Sequence, residues 1–102
     1  MRAFLSPFLL TTLHRGDVLN TLSELSEAVY RLVHIDTDLY RPTRLCLDYF
    51  GARLSRGGVM VLDDYGSVKC PGVRAAVVEY LDGREDYQVW DLHTQQLVIV
   101  KR

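Results

Sequence analysis

Four aspartates have the types and spacing that could do chemistry. Asp36 and Asp38 lie in His34-Ile35-Asp36-Thr37-Asp38-Leu39-Tyr40, and Asp63 and Asp64 close Val59-Met60-Val61-Leu62-Asp63-Asp64-Tyr65. Each pair follows an apolar run, and one helix-length segment separates the two runs. Carboxylates brought together repel one another unless a cation or a proton sits among them. A donor set made only of oxygen, with no Cys or His at metal-ligand spacing, favours a hard cation: Mg²⁺, with Ca²⁺ and Mn²⁺ as alternatives. His34 is two residues before Asp36 on the same strand face, and it is expected to be a packed core histidine rather than a ligand. A single acidic pair at a strand end means little, because such residues commonly cap backbone N–H groups. Two pairs flanking one crossover point to a shared site.

The elements that must position these residues read as follows. Gly16-Asp17 opens a helical pattern of Val18, Leu22, Leu25 and Val29, with Asp17 as its N-cap. Residues 32–35 form a short buried strand. Pro42 starts a helix whose inner face is Thr43, Cys46, Leu47, Phe50 and Leu54. Gly57-Gly58 ends that unit, and residues 59–62 make the next strand. A further helix begins at Cys70-Pro71-Gly72, carries the stripe Val73, Ala76, Val77, Tyr80 and Leu81, and stops at Gly83. Residues 87–92 and 97–100 are strands joined by His93-Thr94-Gln95-Gln96 as an antiparallel hairpin. The run Leu97-Val98-Ile99-Val100 is apolar without alternation, which predicts a central strand covered on both faces.

This order predicts an α/β fold: a partial Rossmann-like sheet of parallel strands with right-handed crossovers, a C-terminal antiparallel hairpin, and helices on both faces. In open sheets of this kind ligands bind beyond the carboxyl ends of the strands. Neighbouring strands are ~4.8 Å apart, so the acidic tips can share one ion.

At 102 residues the chain is one domain with a modest core. A net charge of −1 without a basic face gives no footprint for nucleic acid. Two cysteines, Cys46 and Cys70, are too few for a disulfide framework, so the reading is a reduced, cytoplasmic protein with Cys46 in a helix core. No stretch approaches the ~20 apolar residues of a membrane span. Residues 1–13 are fairly apolar, but Ser6-Pro7 interrupts them and no small-residue cleavage site follows, which argues against a secretion signal. The segment is expected to pack on the domain, or to cover a surface left open.

Three motifs together resemble the macrocin O-methyltransferase family: H-I-D-T-D-L-Y-R-P-T at 34–43, G-G-V-M-V-L-D-D-Y-G at 57–66 and C-P-G-V-R-A-A-V at 70–77. The resemblance covers residues 16–102 and leaves 1–15 as a divergent N-terminal segment. It implies an O-methyltransferase dependent on S-adenosylmethionine and Mg²⁺, acting on a hydroxyl of a sugar or other natural product. By position it implies Asp36, Asp63 and Asp64 as metal ligands and Asp38 as the general base. Tyr40 and Tyr65 are expected either to line the substrate side or simply to pack beside the site. No residue is assigned to the methyl-donor cofactor. No G-x-G occurs, and Gly57-Gly58 precedes a strand rather than following one. The chain therefore reads as a truncated, C-terminal half of the fold, inactive or weakly active alone, with one side of its first strand open to a second copy or a complementing chain.

Two other readings compete. Asp36-Thr37-Asp38 matches the short D-x-D of dehalogenase-like phosphotransferases and of glycosyltransferases. In the phosphotransferases a Thr or Val is expected where Tyr40 stands and a Lys is expected before the second acidic pair, yet no Lys lies between Asp38 and Asp63. A non-catalytic α/β module that self-associates through its edge strand is the stronger rival.

Overall fold

The computed structural model describes residues 12–25 and 27–102. The element order is α1 (Val18–Thr21) followed by a 3₁₀ turn (Leu22–Glu24), β1 (Tyr30–Ile35), α2 (Tyr40–Arg53), β2 (Leu54–Leu62), α3 (Pro71–Leu81), β3 (Tyr87–Asp91) and β4 (Leu97–Lys101). The four strands form one sheet in the order β1-β2-β4-β3. β1 and β2 are parallel, and β4 runs antiparallel to both β2 and β3. The expected α/β class, the parallel pair, the closing hairpin and the central place of residues 97–100 are all present.

The core lies on one face of this sheet. Val33 and Ile35 of β1, Met60 and Leu62 of β2 and Leu97 and Ile99 of β4 pack against Cys46 and Leu47 of α2 and Ala76, Val77 and Tyr80 of α3. The expectation of helices on both faces is not met among the described residues, because α2 and α3 share that one face. The opposite face carries His34, Val61, Val98 and Trp90 across one row of the ladder, with Leu32, Val59, Val100 and Gln88 across the next. Leu32 is 68% and Trp90 53% exposed. β4 accordingly alternates buried and half-buried residues rather than being covered on both sides.

Three boundaries differ from the sequence reading. α1 stops at Thr21, although Asp17 caps it as expected by accepting from the Leu19 N–H at 2.9 Å. Beyond Leu22 the expected helical face is not kept among the described residues, and Val29 is 74% exposed. α2 begins at Tyr40, two residues before Pro42, and passes into β2 at Leu54 without a loop. Gly57-Gly58 lies inside β2 rather than before it. Tyr30 pairs with Leu54 and Leu32 with Val59, so β2 advances five residues while β1 advances two. Gly57 absorbs this bulge at φ +80°, a conformation open to glycine. The expectation that residues 1–13 pack on the domain falls almost wholly outside the described residues.

The helices approach closely where glycine permits. A Cβ at Gly51 would collide with the Tyr80 hydroxyl and lie 2.9 Å from that of Tyr87. Those two hydroxyls bond each other at 2.8 Å, and the Tyr87 hydroxyl also donates to the Gly51 carbonyl at 3.4 Å. Gly51→Ala should therefore overpack the α2–α3 contact and cost about 1–3 kcal/mol. Thermal unfolding measures this, and a melting temperature equal to that of the parent would refute the close-approach account.

Candidate active site

The site forms where β1 and β2 end. Past Ile35 the chain enters a three-residue turn in which the Leu39 N–H donates to the Thr37 carbonyl at 2.6 Å, with Asp38 at its centre. Asp38 has φ 60°, a sparsely populated conformation that Asp tolerates better than most residues. The turn is tied to the first turn of α2: the Thr37 and Thr43 hydroxyls are 2.7 Å apart, and the buried Thr43 hydroxyl donates to the Leu39 carbonyl at 2.6 Å. At the end of β2, the Asp63 N–H extends the ladder to the Ile35 carbonyl at 3.0 Å. Asp64 then turns the chain at φ 63°. Two further turns, Ser67 N–H to Asp64 carbonyl and Cys70 N–H to Ser67 carbonyl, carry the backbone to α3.

These turns gather Asp38, Asp64 and Cys70, whose ligand atoms all lie within 4.8 Å of one another. A hydrogen bond with Asp38, partial loss of water and the charges of Asp38, Asp36 and Asp63 together raise the Asp64 carboxyl above its usual range. Desolvation and the charges of Asp64 and Asp38 likewise raise the Cys70 thiol. All four aspartates thus share one electrostatic neighbourhood. The tightest group nevertheless contains Asp38 rather than Asp36 or Asp63.

Asp63 is engaged elsewhere. Its Oδ1 accepts from Gln96 Nε2 at 2.6 Å, and its Oδ2 lies 3.0 Å from His34 Nε2. The hydrogen bond from Gln96, then that from His34, lowers its carboxyl below the usual value. His34 is therefore not the packed core histidine expected from the sequence. Its side chain is 54% exposed, because its face of β1 lacks a covering layer among the described residues. Tyr40 turns toward α3, where its hydroxyl donates to Glu79 Oε1 at 2.7 Å beside Arg44 Nη1 at 2.8 Å on the same oxygen. Tyr65 packs on the core edge, with the Arg74 guanidinium 5.1 Å above its ring.

The donor set suits a hard divalent cation. Two carboxylates with oxygens within 4.8 Å of each other, with two more aspartates following the same strand ends, make a site whose repulsion a dication relieves. The Cys70 thiol is a soft donor that such an ion does not favour. S-adenosylmethionine is not fitted by these residues alone, since Gly57-Gly58 sits within β2 and no glycine-rich turn follows a strand.

Residues 10–91 match the family model described as macrocin-O-methyltransferase (TylF). The chain belongs to the macrocin-O-methyltransferase family. Comparison with curated proteins gives no match. Among solved structures, the O-methyltransferase NovP is 25% identical with a TM-score of 0.77, covering 98% of this chain and 42% of its own. CalS11, described as a TDP-rhamnose 3'-O-methyltransferase of calicheamicin biosynthesis, is 27% identical with a TM-score of 0.67, covering 83% and 38% respectively. A putative caffeoyl-CoA O-methyltransferase from Staphylococcus aureus, 15% identical with a TM-score of 0.74, shares the fold. The chain thus spans about two fifths of the length of NovP and CalS11. The family is one of S-adenosylmethionine-dependent methyltransferases, and no described helix is long and apolar enough to cross a membrane.

Sequence reasoning missed His34, Gln96 and Cys70 as site residues. Strand alternation already put His34 on the Asp36 face. Gln96 becomes visible only once the hairpin register is known, and Cys70 only once the loop after Asp64 is folded back.

The opposite shifts of the two neighbouring acids give opposite stability effects. Asp63, with a depressed folded value, adds stability above its unfolded pKa, and that stability is lost as pH falls through the folded value. Asp64, with a raised value, destabilises the fold at neutral pH, and the penalty disappears as pH falls below its unfolded pKa. At pH 7, Asp63→Ala should lower the melting temperature and Asp64→Asn should raise it, with both differences shrinking in acid. Shifts of the same sign at pH 7 would contradict the assigned hydrogen bonds. Burial also pushes the Cys46 thiol up to about 11. A thiol reagent at pH 8 should label half-buried Cys70 in the folded chain and Cys46 only on unfolding; equal rates would exclude this.

Proposed function

We propose that this chain carries the metal- and acceptor-binding part of an S-adenosylmethionine-dependent, Mg²⁺-dependent O-methyltransferase acting on a hydroxyl of a sugar or other natural product. The observation that carries the reading is the gathering of Asp38 and Asp64 within 4.8 Å of each other beyond the strand ends that Asp36 and Asp63 follow, in a chain that belongs to the macrocin-O-methyltransferase family. Asp36, Asp63 and Asp64 are the proposed Mg²⁺ ligands and Asp38 the proposed base. A bound divalent ion supplies Lewis acidity, lowering the pKa of an acceptor hydroxyl.

The chain's own residues do the rest. Asp38, presented by its turn with a carboxylate oxygen within 4.8 Å of that of Asp64, would accept the hydroxyl proton as the methyl group is transferred. The Thr37–Thr43–Leu39 network fixes that turn to the start of α2. Asp64 holds its carboxylate on the loop that leads into α3. The rest of the domain, including the methyl-donor site, is assigned to chain beyond these elements or to a complementing chain. It would complete the open edge of β1 and cover the face of Leu32 and Trp90.

Self-association through that edge is a second reading, favoured by the unpaired outer side of β1 among the described residues and by the exposed Leu32. Sedimentation distinguishes the two: a monomer across the concentration range sinks self-association.

Calorimetric titration with MgCl₂ tests the main proposal. The native chain should bind one Mg²⁺. Asp36→Asn and Asp64→Asn should abolish the heat signal, and S-adenosylmethionine should give little heat by itself. Unchanged Mg²⁺ binding in both variants would remove the carboxylates from the metal site.

A further inference from the structure

We propose that Gln96 and His34 are positioning residues for Asp63, holding its carboxylate in the orientation that metal binding requires. This assignment rests on the Mg²⁺ site proposed above and concerns two residues that act through Asp63 rather than on the ion. The argument begins with register. Leu62 pairs with Leu97 across β2–β4, so the next position outward sets Asp63 opposite Gln96. Val61 pairs with both His34 and Val98, so His34 shares the sheet face on which Asp63 and Gln96 emerge. One donor therefore reaches Asp63 from each neighbouring strand.

The two donors do not compete. Gln96 Nε2 is 2.6 Å from Oδ1 and His34 Nε2 is 3.0 Å from Oδ2. A carboxylate offers about four acceptor positions, so one donor on each oxygen still leaves a free lone pair on each. A carboxylate gripped at both oxygens has lost its side-chain rotation before any ion arrives. An ungripped one must surrender that freedom on binding, at a cost in affinity. Hydrogen bonding of a ligating carboxylate by outer partners is a recurrent feature of metal sites, and losing such a partner typically weakens metal affinity about 10–100-fold.

A purely structural latch across three strand tips would use the same contacts, so the test separates stability from binding. Mn²⁺, followed by electron paramagnetic resonance with Mg²⁺ as competitor, is titrated into the full chain. The variants are Gln96→Met, His34→Leu and His34→Gln, with Gln88→Met as a control on the same face toward the other end of the sheet. Melting temperature is measured on each. Gln96→Met and His34→Leu should each weaken Mn²⁺ binding by about 10–100-fold. His34→Gln, which restores an N–H donor, should recover most of the loss, and Gln88→Met should match the native chain. Affinity that is unchanged in Gln96→Met and His34→Leu, while the native chain binds, overturns the assignment but leaves the metal site standing. Loss of affinity that tracks melting temperature across all variants, with no recovery in His34→Gln, overturns it in favour of the latch. Absence of Mn²⁺ binding by the native chain overturns the metal site and this assignment together.

Discussion

The register of β2 is the constraint on which the rest depends. Leu62 is held between Ile35 on one side and Leu97 on the other, and one residue beyond that row lie Asp36, Asp63 and Gln96. A slip of one residue would turn every side chain of the strand to the other face. Met60, Leu62, Leu97 and Ile99 are almost wholly withdrawn from water. Burying side chains of this size stabilises by roughly 1.5–3 kcal/mol each. The alternative register would expose that layer, so the apolar core, not the polar site, fixes which acids meet.

Around that fixed row the site holds an electrostatic conflict. Asp38 and Asp64 both adopt left-handed backbone conformations and bring carboxylate oxygens within 4.8 Å of each other, so like-charged groups are presented together on strained turns. Such features persist only where the surrounding structure over-determines them. Here the Thr43 anchor, the turns through Ser67 and the bond from the Gly66 N–H to the Gln95 carbonyl at 3.3 Å supply that restraint. Asp63, one residue away, has the contrary environment, with a donor on each oxygen. Adjacent residues in sequence thus serve opposite electrostatic ends, because the turn at Asp64 sends their side chains to different partners.

The sheet is also asymmetric. α2 and α3 cover one face, while the row from His34 to Trp90 on the other is left half-open. This matches a chain that spans about two fifths of NovP and CalS11. It also explains why β4 alternates in burial despite its uniformly apolar sequence: its second face is built for cover that the described residues do not provide.

Much of this was legible in the residues alone. Helical spacing at 73–81, the proline at the start of α3, the capping Asp17 and the apolar runs ending in acids are local signals, set by backbone sterics and side-chain periodicity within a few residues. They sufficed for the fold class and the hairpin. The length of α1, the glycine bulge inside β2 and the single-sided placement of helices were not legible, because each depends on what lies across a gap of many residues. The same division holds at the site. The sequence determined that four carboxylates sit at strand ends. Only the tertiary structure decided that Asp64 meets Asp38 and Cys70 while Asp63 meets Gln96 and His34. Partner choice of that kind follows from register and turn geometry, and spacing along one chain does not encode them.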